Sequence, residues 1–385
     1  MLDHWRAWIA VVLIVGAAAW LAAPYFTSAA FILDIAGTTG LARTLLPARV
    51  REVTSRDVPV PTRLGAVAAR LYEPRGGAGR SVLVFPGVHA GGIDEPRLVT
   101  FSKRLASTGL NVLSVPLPDL REFRVTARST DIIEDATLWL AADRALAPSG
   151  RVGLVGVSFA GGLALVAAGR PALAGKVQFV VSLGGHADLP RVMTYLCTGR
   201  LPDGAAREPH AYGIVIILLG ALEHLVPADQ VEPLRAAVLT FLDASSFDQT
   251  NPEHANELFA RARTASAQLP EPARTYMQWV NDRNRSALGE KLLPLVEELG
   301  GAAALSPDRS PATLVPVFLL HGAADNVIPS SETPLAASYL AARGNTRATS
   351  LLTPLLTHAT VSDDVSFGEA WRLVVFWKQM LDAAR

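Results

Sequence analysis

One serine in the sequence has neighbours that would let it act as a nucleophile. Ser158 lies in the segment Gly-Val-Ser-Phe-Ala-Gly-Gly, directly after the valine-rich run Val152–Val157 and before a helix-like run at 163–168. A serine on a sharp strand-to-helix turn needs small neighbours, because larger side chains flanking the kink would collide, and Gly156 and Ala160 meet that need. A helix N-cap is the alternative role, but a cap alone does not require small flanking residues. The pattern predicts a serine nucleophile.

A serine hydroxyl is a weak nucleophile, so it needs a histidine base and a carboxylate that orients this base. Behind such a turn the chain order is serine, acid, histidine. Asp325 lies in the loop of Leu-Leu-His-Gly-Ala-Ala-Asp-Asn-Val-Ile-Pro after an apolar strand-like run, and His358 is the only histidine beyond it. The sequence therefore predicts Asp325 as the acid and His358 as the base.

Alternatives remain for the acid and the base. Asp325 has a turn residue as its alternative interpretation, and Asp188 is the alternative acid because it too follows a strand-like run. A solvated loop histidine is the alternative for His358. The spare candidates for the base are His321 and His89, both less well placed in the chain order.

Acyl transfer also requires backbone N–H groups that stabilise the developing oxyanion. Phe159, directly after the serine, would supply one. The glycine-rich bend Phe-Pro-Gly-Val-His-Ala-Gly-Gly after a strand-like run would supply the other, and the N–H of Val88 is the predicted donor. In this prediction His89 shapes the pocket. An ordinary strand-to-helix loop is the alternative, since glycines serve turns generally.

The elements that must position these residues follow from the hydrophobic pattern. Short apolar runs alternate with helical patterns, which predicts an α/β protein with a mostly parallel sheet opened by an antiparallel hairpin. The predicted strands are 50–60, 66–72, 81–85, 111–115, 151–157, 176–183, 315–321 and 347–352. The predicted helices are 96–107, 130–145, 161–168, 332–343 and 367–384. Between about residues 185 and 311 the strand-like runs give way to Pro-punctuated helical stretches, which predicts an inserted helical cap.

One segment of this cap is apolar on every face. Residues 211–220 read Ala-Tyr-Gly-Ile-Val-Ile-Ile-Leu-Leu-Gly, unlike an ordinary surface helix. The segment is too short to span a bilayer. It is either a helix buried between cap and sheet or a lid that lines an acyl pocket or touches lipid.

Composition excludes several classes of function. The chain of 385 residues has 35 basic and 35 acidic residues, so no net charge recruits nucleic acid. A single cysteine, Cys197, excludes an intramolecular disulfide and a thiolate metal cluster. No phosphate-binding glycine motif and no convincing metal spacing is present. We therefore predict no cofactor and no metal.

The N-terminus differs from the rest in composition. Residues 8–21 read Trp-Ile-Ala-Val-Val-Leu-Ile-Val-Gly-Ala-Ala-Ala-Trp-Leu, and the uncharged stretch continues to Leu33. About 20 apolar residues span a bilayer, which predicts a single-pass anchor within residues 1–34, in a bacterial inner membrane, with the catalytic part outside the cytoplasm. A cleaved signal peptide that releases a secreted protein is the alternative.

With these residues assembled, the chain resembles the α/β-hydrolase family, especially bacterial esterase-like members. The resemblance covers about residues 50–384 and rests on Gly-Val-Ser-Phe-Ala-Gly-Gly and on the segment around Asp325. The chain departs from the common G-x-S-x-G by carrying Ala160, with Gly161 one place later. The resemblance implies an eight-stranded sheet with core segments 48–185 and 312–385 and an all-helical cap at 186–311.

The resemblance also implies a mechanism. A serine hydrolase of this family cleaves a carboxylic ester or related acyl substrate, including lipid-like esters, through an acyl-enzyme intermediate. Acyl transfer by the same serine is one alternative. A catalytically silent binding protein tethered to a membrane is the other, because a fold does not guarantee activity.

Overall fold

The computed structural model of the protein describes residues 23–33, 51–248, 251–356 and 366–384. Its eight strands form one sheet in the order β1-β2-β4-β3-β5-β6-β7-β8. β1 pairs antiparallel with β2, and β2 with β4, whereas the remaining pairs are parallel. The predicted mostly parallel sheet and its opening hairpin are confirmed. The strands are β1 Val53–Thr62, β2 Gly65–Pro74, β3 Ser81–Phe85, β4 Asn111–Ser114, β5 Val152–Val157, β6 Val177–Leu183, β7 Val317–Gly322 and β8 Ala348–Thr353.

Helices cover both faces of this sheet. The first, α1, comprises residues 23–33. The other helices that flank the sheet are α2 Pro96–Ser107, α3 Pro118–Arg121, α4 Ala127–Ala142, α5 Phe159–Ala168, α13 Glu332–Ala342 and α14 Phe367–Ala383. Those between β6 and β7 are α6 Leu189–Thr198, α7 Ala211–Leu225, α8 Ala228–Phe247, α9 Pro252–Gln268, α10 Ala273–Asn281, α11 Arg285–Leu292 and α12 Val296–Gly300.

The central strands are apolar on both sides because both faces of the sheet are covered. Leu83 and Leu154 belong to the core on one face. Val84 and Val155, their neighbours along the chain, belong to the core on the other face. Alternate residues of a strand point to opposite faces, so a strand between two helical layers appears as a continuous apolar run rather than an alternating one.

The register of the central strands brings their carboxyl ends to one edge. Phe85 of β3 pairs with Gly156 of β5, and Val157 of β5 pairs with Leu183 of β6. Leu183 in turn pairs with Leu320 of β7. The loops after these four strands therefore start close together, at the edge where ligands bind in open α/β sheets.

The segment between β6 and β7, here called the inserted segment (residues 186–311), is built of helices with one isolated bridge between Arg200 and Ala206. The apolar helix α7 is buried along residues 214–219, which agrees with the interpretation as a buried helix. The division of the chain into domains at residues 34, 48, 185 and 311 stays a prediction.

The N-terminal prediction requires a correction. Residues 1–22 and 34 lie outside the described residues. In α1, Phe31 is 3% exposed and its ring packs against Phe101 of α2 and Trp377 of α14 at centroid distances of 6.0 and 4.8 Å. Among the described residues, no helix combines the length and the apolar character that crossing a membrane requires. This finding contradicts the single-pass anchor, and the localisation derived from it is wrong.

Candidate active site

Ser158 stands at a sharp turn between β5 and α5. Its backbone has φ 55° and ψ −131°, a conformation that is rare for residues with a side chain and costs about 1 to 3 kcal/mol. The Ser158 N–H donates to the carbonyl of Leu183 at 2.7 Å, and the Ser158 carbonyl accepts from the N–H of Gly161 at 2.8 Å. The turn is thus fixed on one side by β6 and on the other by the first turn of the helix.

Two glycines make this turn possible. A Cβ at Gly156 would lie 2.2 Å from the carbonyl oxygen of Ala160, and a Cβ at Gly161 would lie 2.5 Å from Oγ of Ser182. Because real Cβ atoms do not approach other atoms so closely, both positions require glycine. Ala160, by contrast, is fully buried with its methyl group in place. In this chain the close approach to β6 occurs at residue 161, where the sequence has glycine.

The loop after β3 passes directly beside the serine. A Cβ at Gly87 would lie 2.9 Å from Cβ of Ser158 and 3.6 Å from its Oγ. Val88 is the next residue of this loop. Phe159 is the first residue of α5, where a helix leaves N–H groups without intrahelical acceptors and carries partial positive charge. Both predicted oxyanion donors thus belong to segments that meet at Ser158.

Asp325 lies in the loop after β7 and is 2% exposed. Its Oδ1 accepts from the N–H groups of Val327 and Ile328 at 2.8 and 3.1 Å. Its Oδ2 lies 3.3 Å from Nε2 of His321. A Cβ at Gly184, directly after β6, would lie 3.6 Å from this Oδ2. The carboxylate is therefore oriented by its own loop and lies beside the end of β6, the strand next to that of Ser158.

The alternative acid, Asp188, caps a helix and pairs with an arginine. It is the N-cap of α6, where its Oδ1 accepts from the N–H of Arg191 at 2.8 Å. Its Oδ2 accepts from Nε of Arg309 at 2.6 Å. Both oxygens thus serve contacts within the inserted segment. The predicted base, His358, lies outside the described residues.

Two other histidines lie near the turn at residues 156–161, here called the elbow. Nδ1 of His89 accepts from the N–H of Gly91 at 3.0 Å, so the imidazole folds back on its own loop, and burial lowers the pKa of His89. His186 is fully buried, and its ring centroid lies 5.8 Å from that of Phe159. Burial lowers the pKa of His186 as well. Both side chains are therefore neutral at neutral pH.

Comparison with known proteins decides the fold. No protein-family model and no curated protein matches the chain. Among solved structures, carboxyl esterase 2 of the mycorrhizal fungus Tuber melanosporum is similar, with a TM-score of 0.50, 14% identity and 86% of each chain covered. The chain has the α/β-hydrolase fold.

Two further esterase structures are similar at lower scores. The hyperthermophilic esterase from the archaeon Pyrobaculum calidifontis has a TM-score of 0.48 and 17% identity over 93% of this chain and 92% of its own. A thermostable carboxylesterase cloned from a metagenomic library has a TM-score of 0.47 and 19% identity over 89% and 93%. At identities this low the activity has to be argued from the site.

The inserted segment contacts the loop that carries the predicted acid, Asp325, here called the acid loop, in a way that the sequence did not indicate. The N–H of His210 donates to the carbonyl of Asn326 at 2.8 Å, and the Tyr195 hydroxyl donates to the same carbonyl at 3.3 Å. Nη1 of Arg207 donates to the carbonyl of Asp325 at 3.4 Å. Burial raises the pKa of Tyr195 to about 12, so its hydroxyl keeps the proton that it donates. No local pattern predicts these contacts, because the donors precede the loop by more than a hundred residues.

The structure also shows whether side chains are grouped so that they could bind a metal ion. Within the described ranges, no group of three or more His, Cys, Asp or Glu residues is arranged to hold a metal ion.

Proposed function

We propose that the protein is a serine hydrolase that cleaves a carboxylic ester or a related acyl compound. The observation that carries the proposal is the approach of the Gly87 loop to Ser158, with a Cβ at Gly87 only 2.9 Å from that of the serine. Backbone N–H donors close to a strained serine at the start of a helix are the arrangement that acyl transfer needs. The structural neighbour from Tuber melanosporum is named a carboxyl esterase, which agrees with this reaction.

In the first half-reaction, Oγ of Ser158 attacks the acyl carbon while His358 removes the hydroxyl proton. The N–H groups of Val88 and Phe159 stabilise the oxyanion of the tetrahedral intermediate. The C–O bond to the alcohol then breaks, and His358 transfers its proton to the leaving oxygen. Asp325 orients His358 and stabilises its cationic form during both transfers. The products are a free alcohol and an acyl group esterified to Ser158.

In the second half-reaction, a water molecule attacks the acyl carbon while His358 removes one of its protons. The bond to Oγ breaks, the serine regains its proton from His358, and the carboxylic acid leaves. An alcohol in place of water would complete an acyl transfer instead. Product analysis with added acceptor alcohols separates the two reactions, and we expect the acid to be the main product.

Ser158→Ala tests the proposal. We expect hydrolysis of short p-nitrophenyl esters to fall by about 10⁴-fold or more and labelling by a fluorophosphonate probe to disappear, with the thermal unfolding midpoint retained. Ser102→Ala is the matched control, since Ser102 is also buried but lies in α2, away from the turn, and it should keep both activity and labelling. Undiminished labelling of the Ser158 variant would refute the assignment.

A further inference from the structure

His321, on β7, has contacts that the proposed reaction does not use. Its side chain is buried, as are those of its partners Thr333 on α13 and Asp325. Nε2 of His321 lies 2.9 Å from the carbonyl oxygen of Ile328 and 3.3 Å from Oδ2 of Asp325. Nδ1 lies 2.8 Å from Oγ1 of Thr333. A polar ring buried in this way costs free energy unless its nitrogens are hydrogen-bonded, and here both are.

The partners determine where the ring carries its proton. The carbonyl of Ile328 can only accept a hydrogen bond, so Nε2 must be the donor. Oδ2 of Asp325, which is also an acceptor when ionised, lies 3.3 Å from the same nitrogen and so faces the positive end of this N–H group. In the neutral imidazole Nδ1 then accepts from the hydroxyl of Thr333. The ring is thereby held from α13 on one side and directed at the acid loop on the other.

The two oxygens of the Asp325 carboxylate are held by different parts of the fold. Oδ1 accepts from Val327 and Ile328 of the same loop, so these bonds move with the loop. Oδ2 is contacted by His321, which belongs to the strand of the sheet. Because His321 lies on a strand, its contact fixes the position of the carboxylate relative to the sheet. The same sheet also positions the elbow.

We propose that His321 is a positioning residue for Asp325: its Nε2–H, bonded to the carbonyl of Ile328 and 3.3 Å from Oδ2 of Asp325, holds the loop and its carboxylate in the orientation that the base requires. This inference rests on the proposed serine hydrolase function. The role of His321 is indirect, because it acts through Asp325 and touches no reacting atom. Its loss therefore lowers the rate of the chemical step and leaves substrate binding nearly unchanged.

Two variants of similar length test this role. His321→Gln keeps an N–H donor at the same number of bonds from Cβ as Nε2, whereas His321→Met fills the space without a donor. We expect His321→Met to lower kcat roughly 10- to 100-fold with KM changed less than about twofold, as small misplacements of catalytic groups do. His321→Gln should recover kcat to within about fivefold of the unsubstituted protein.

A double-mutant cycle distinguishes positioning from a general structural role. In an Asp325→Asn background, His321→Met should change kcat by less than about twofold, because residues that act as one unit are not additive. An equal fold-loss in both backgrounds would overturn the proposal. So would a loss that appears in KM, or a Gln variant as impaired as the Met variant.

A measurement without substitution covers the case in which His321→Met does not fold. The ¹⁵N shifts of the His321 ring in the full-length protein should show Nε2 bearing a proton, and a proton-free Nε2 would overturn the proposal. Failure of the hydrolase assignment itself is seen separately, as absence of fluorophosphonate labelling of the unsubstituted protein.

Discussion

The elbow around Ser158 and the loop around Asp325 lie at the same edge of the sheet but are positioned by different forces. The elbow has local backbone hydrogen bonds and is limited by steric contact, because Gly156 and Gly161 each lie where a Cβ would overlap another atom. The acid loop is fixed by hydrogen bonds. Some come from the loop itself, and others come from His321 and from the inserted segment.

The two regions differ in how far along the chain the residues that hold them in place lie. The elbow needs small residues within a few positions of the serine and the neighbouring strand β6. The acid loop takes donors from Arg207 and Tyr195, which are separated from their acceptors by 118 and 131 residues. Substitutions of the two elbow glycines should therefore act mainly on folding, whereas substitution of Asp325 should act mainly on the reaction.

After Ser158→Ala, the largest expected effect is again on the reaction, from Asp325→Asn. Asparagine keeps the acceptor for Val327 and Ile328 but removes the charge that stabilises a cationic base, so kcat should fall by about 10⁴-fold with little change in the unfolding midpoint. Steady-state ester hydrolysis and thermal unfolding measure the two quantities.

The matched control for that variant is Asp188→Asn, which keeps the helix cap and weakens the pair with Arg309. It should lower the unfolding midpoint while kcat stays within about threefold. If Asp188→Asn abolished turnover and Asp325→Asn did not, the two carboxylates would have to exchange roles.

The next effect is on stability, from Gly156→Ala. The new methyl group would lie 2.2 Å from the carbonyl oxygen of Ala160, and backbone cannot yield as a side chain can. We expect the free energy of unfolding in urea to fall by about 3 kcal/mol or more. Gly79→Ala is the control, because nothing lies within 4 Å of a Cβ there, and its effect should be small. Equal stability of the two variants would mean that the elbow is not fixed by steric contact.

A smaller effect is expected from pH at His186, which joins the elbow helix to the inserted segment. A Cβ at Gly162 would lie 2.4 Å from the His186 ring, and Nε2 of His186 donates to the carbonyl of Leu305 at 2.7 Å. Burial lowers the pKa of His186 from 6.5, although the bond to Leu305 opposes this. Below pH 6.5 the unfolded chain therefore binds a proton that the folded protein does not, and stability falls as the pH decreases towards the lowered pKa.

Urea unfolding of the unsubstituted protein and of His186→Gln tests this at about pH 7.5 and about pH 5.5. Glutamine does not titrate, so the variant should lose less free energy of unfolding over this interval, whatever its stability at the higher pH. Parallel losses in the two proteins would show that His186 does not contribute to the pH dependence.

The smallest effect is expected from Ala160→Gly, which restores the common G-x-S-x-G. Since the methyl group of Ala160 is accommodated without a clash, its removal should cost about 1 kcal/mol through helix propensity and leave kcat within about twofold. A large gain in kcat would show that alanine at this position impairs the elbow.

Much of the fold could be predicted from the sequence. The periodicity placed β3 at Ser81–Phe85 and α2 at Pro96–Ser107 with the bounds that the structure has, because short buried strands and amphipathic helices differ in period and length. The predictions for the serine turn and for an acid after β7 rested on local patterns too. The N-terminal prediction also rested on a local pattern, and it was wrong. Apolar composition indicates burial but not what covers the residue, and Phe31 packs against Trp377 rather than in a membrane-spanning helix.

The sequence by itself determined the α/β sheet and the turn that presents Ser158, since both follow from side-chain period and from the space that glycine leaves within a few residues. Only the tertiary structure decided which partners the two candidate carboxylates have. Asp188 caps α6 and pairs with Arg309, while Asp325 lies 3.3 Å from His321 and its carbonyl accepts from Arg207 of the inserted segment. Hydrogen bonds between residues far apart in the chain leave no local pattern, so they become visible when the strands are aligned and their loops meet at one edge.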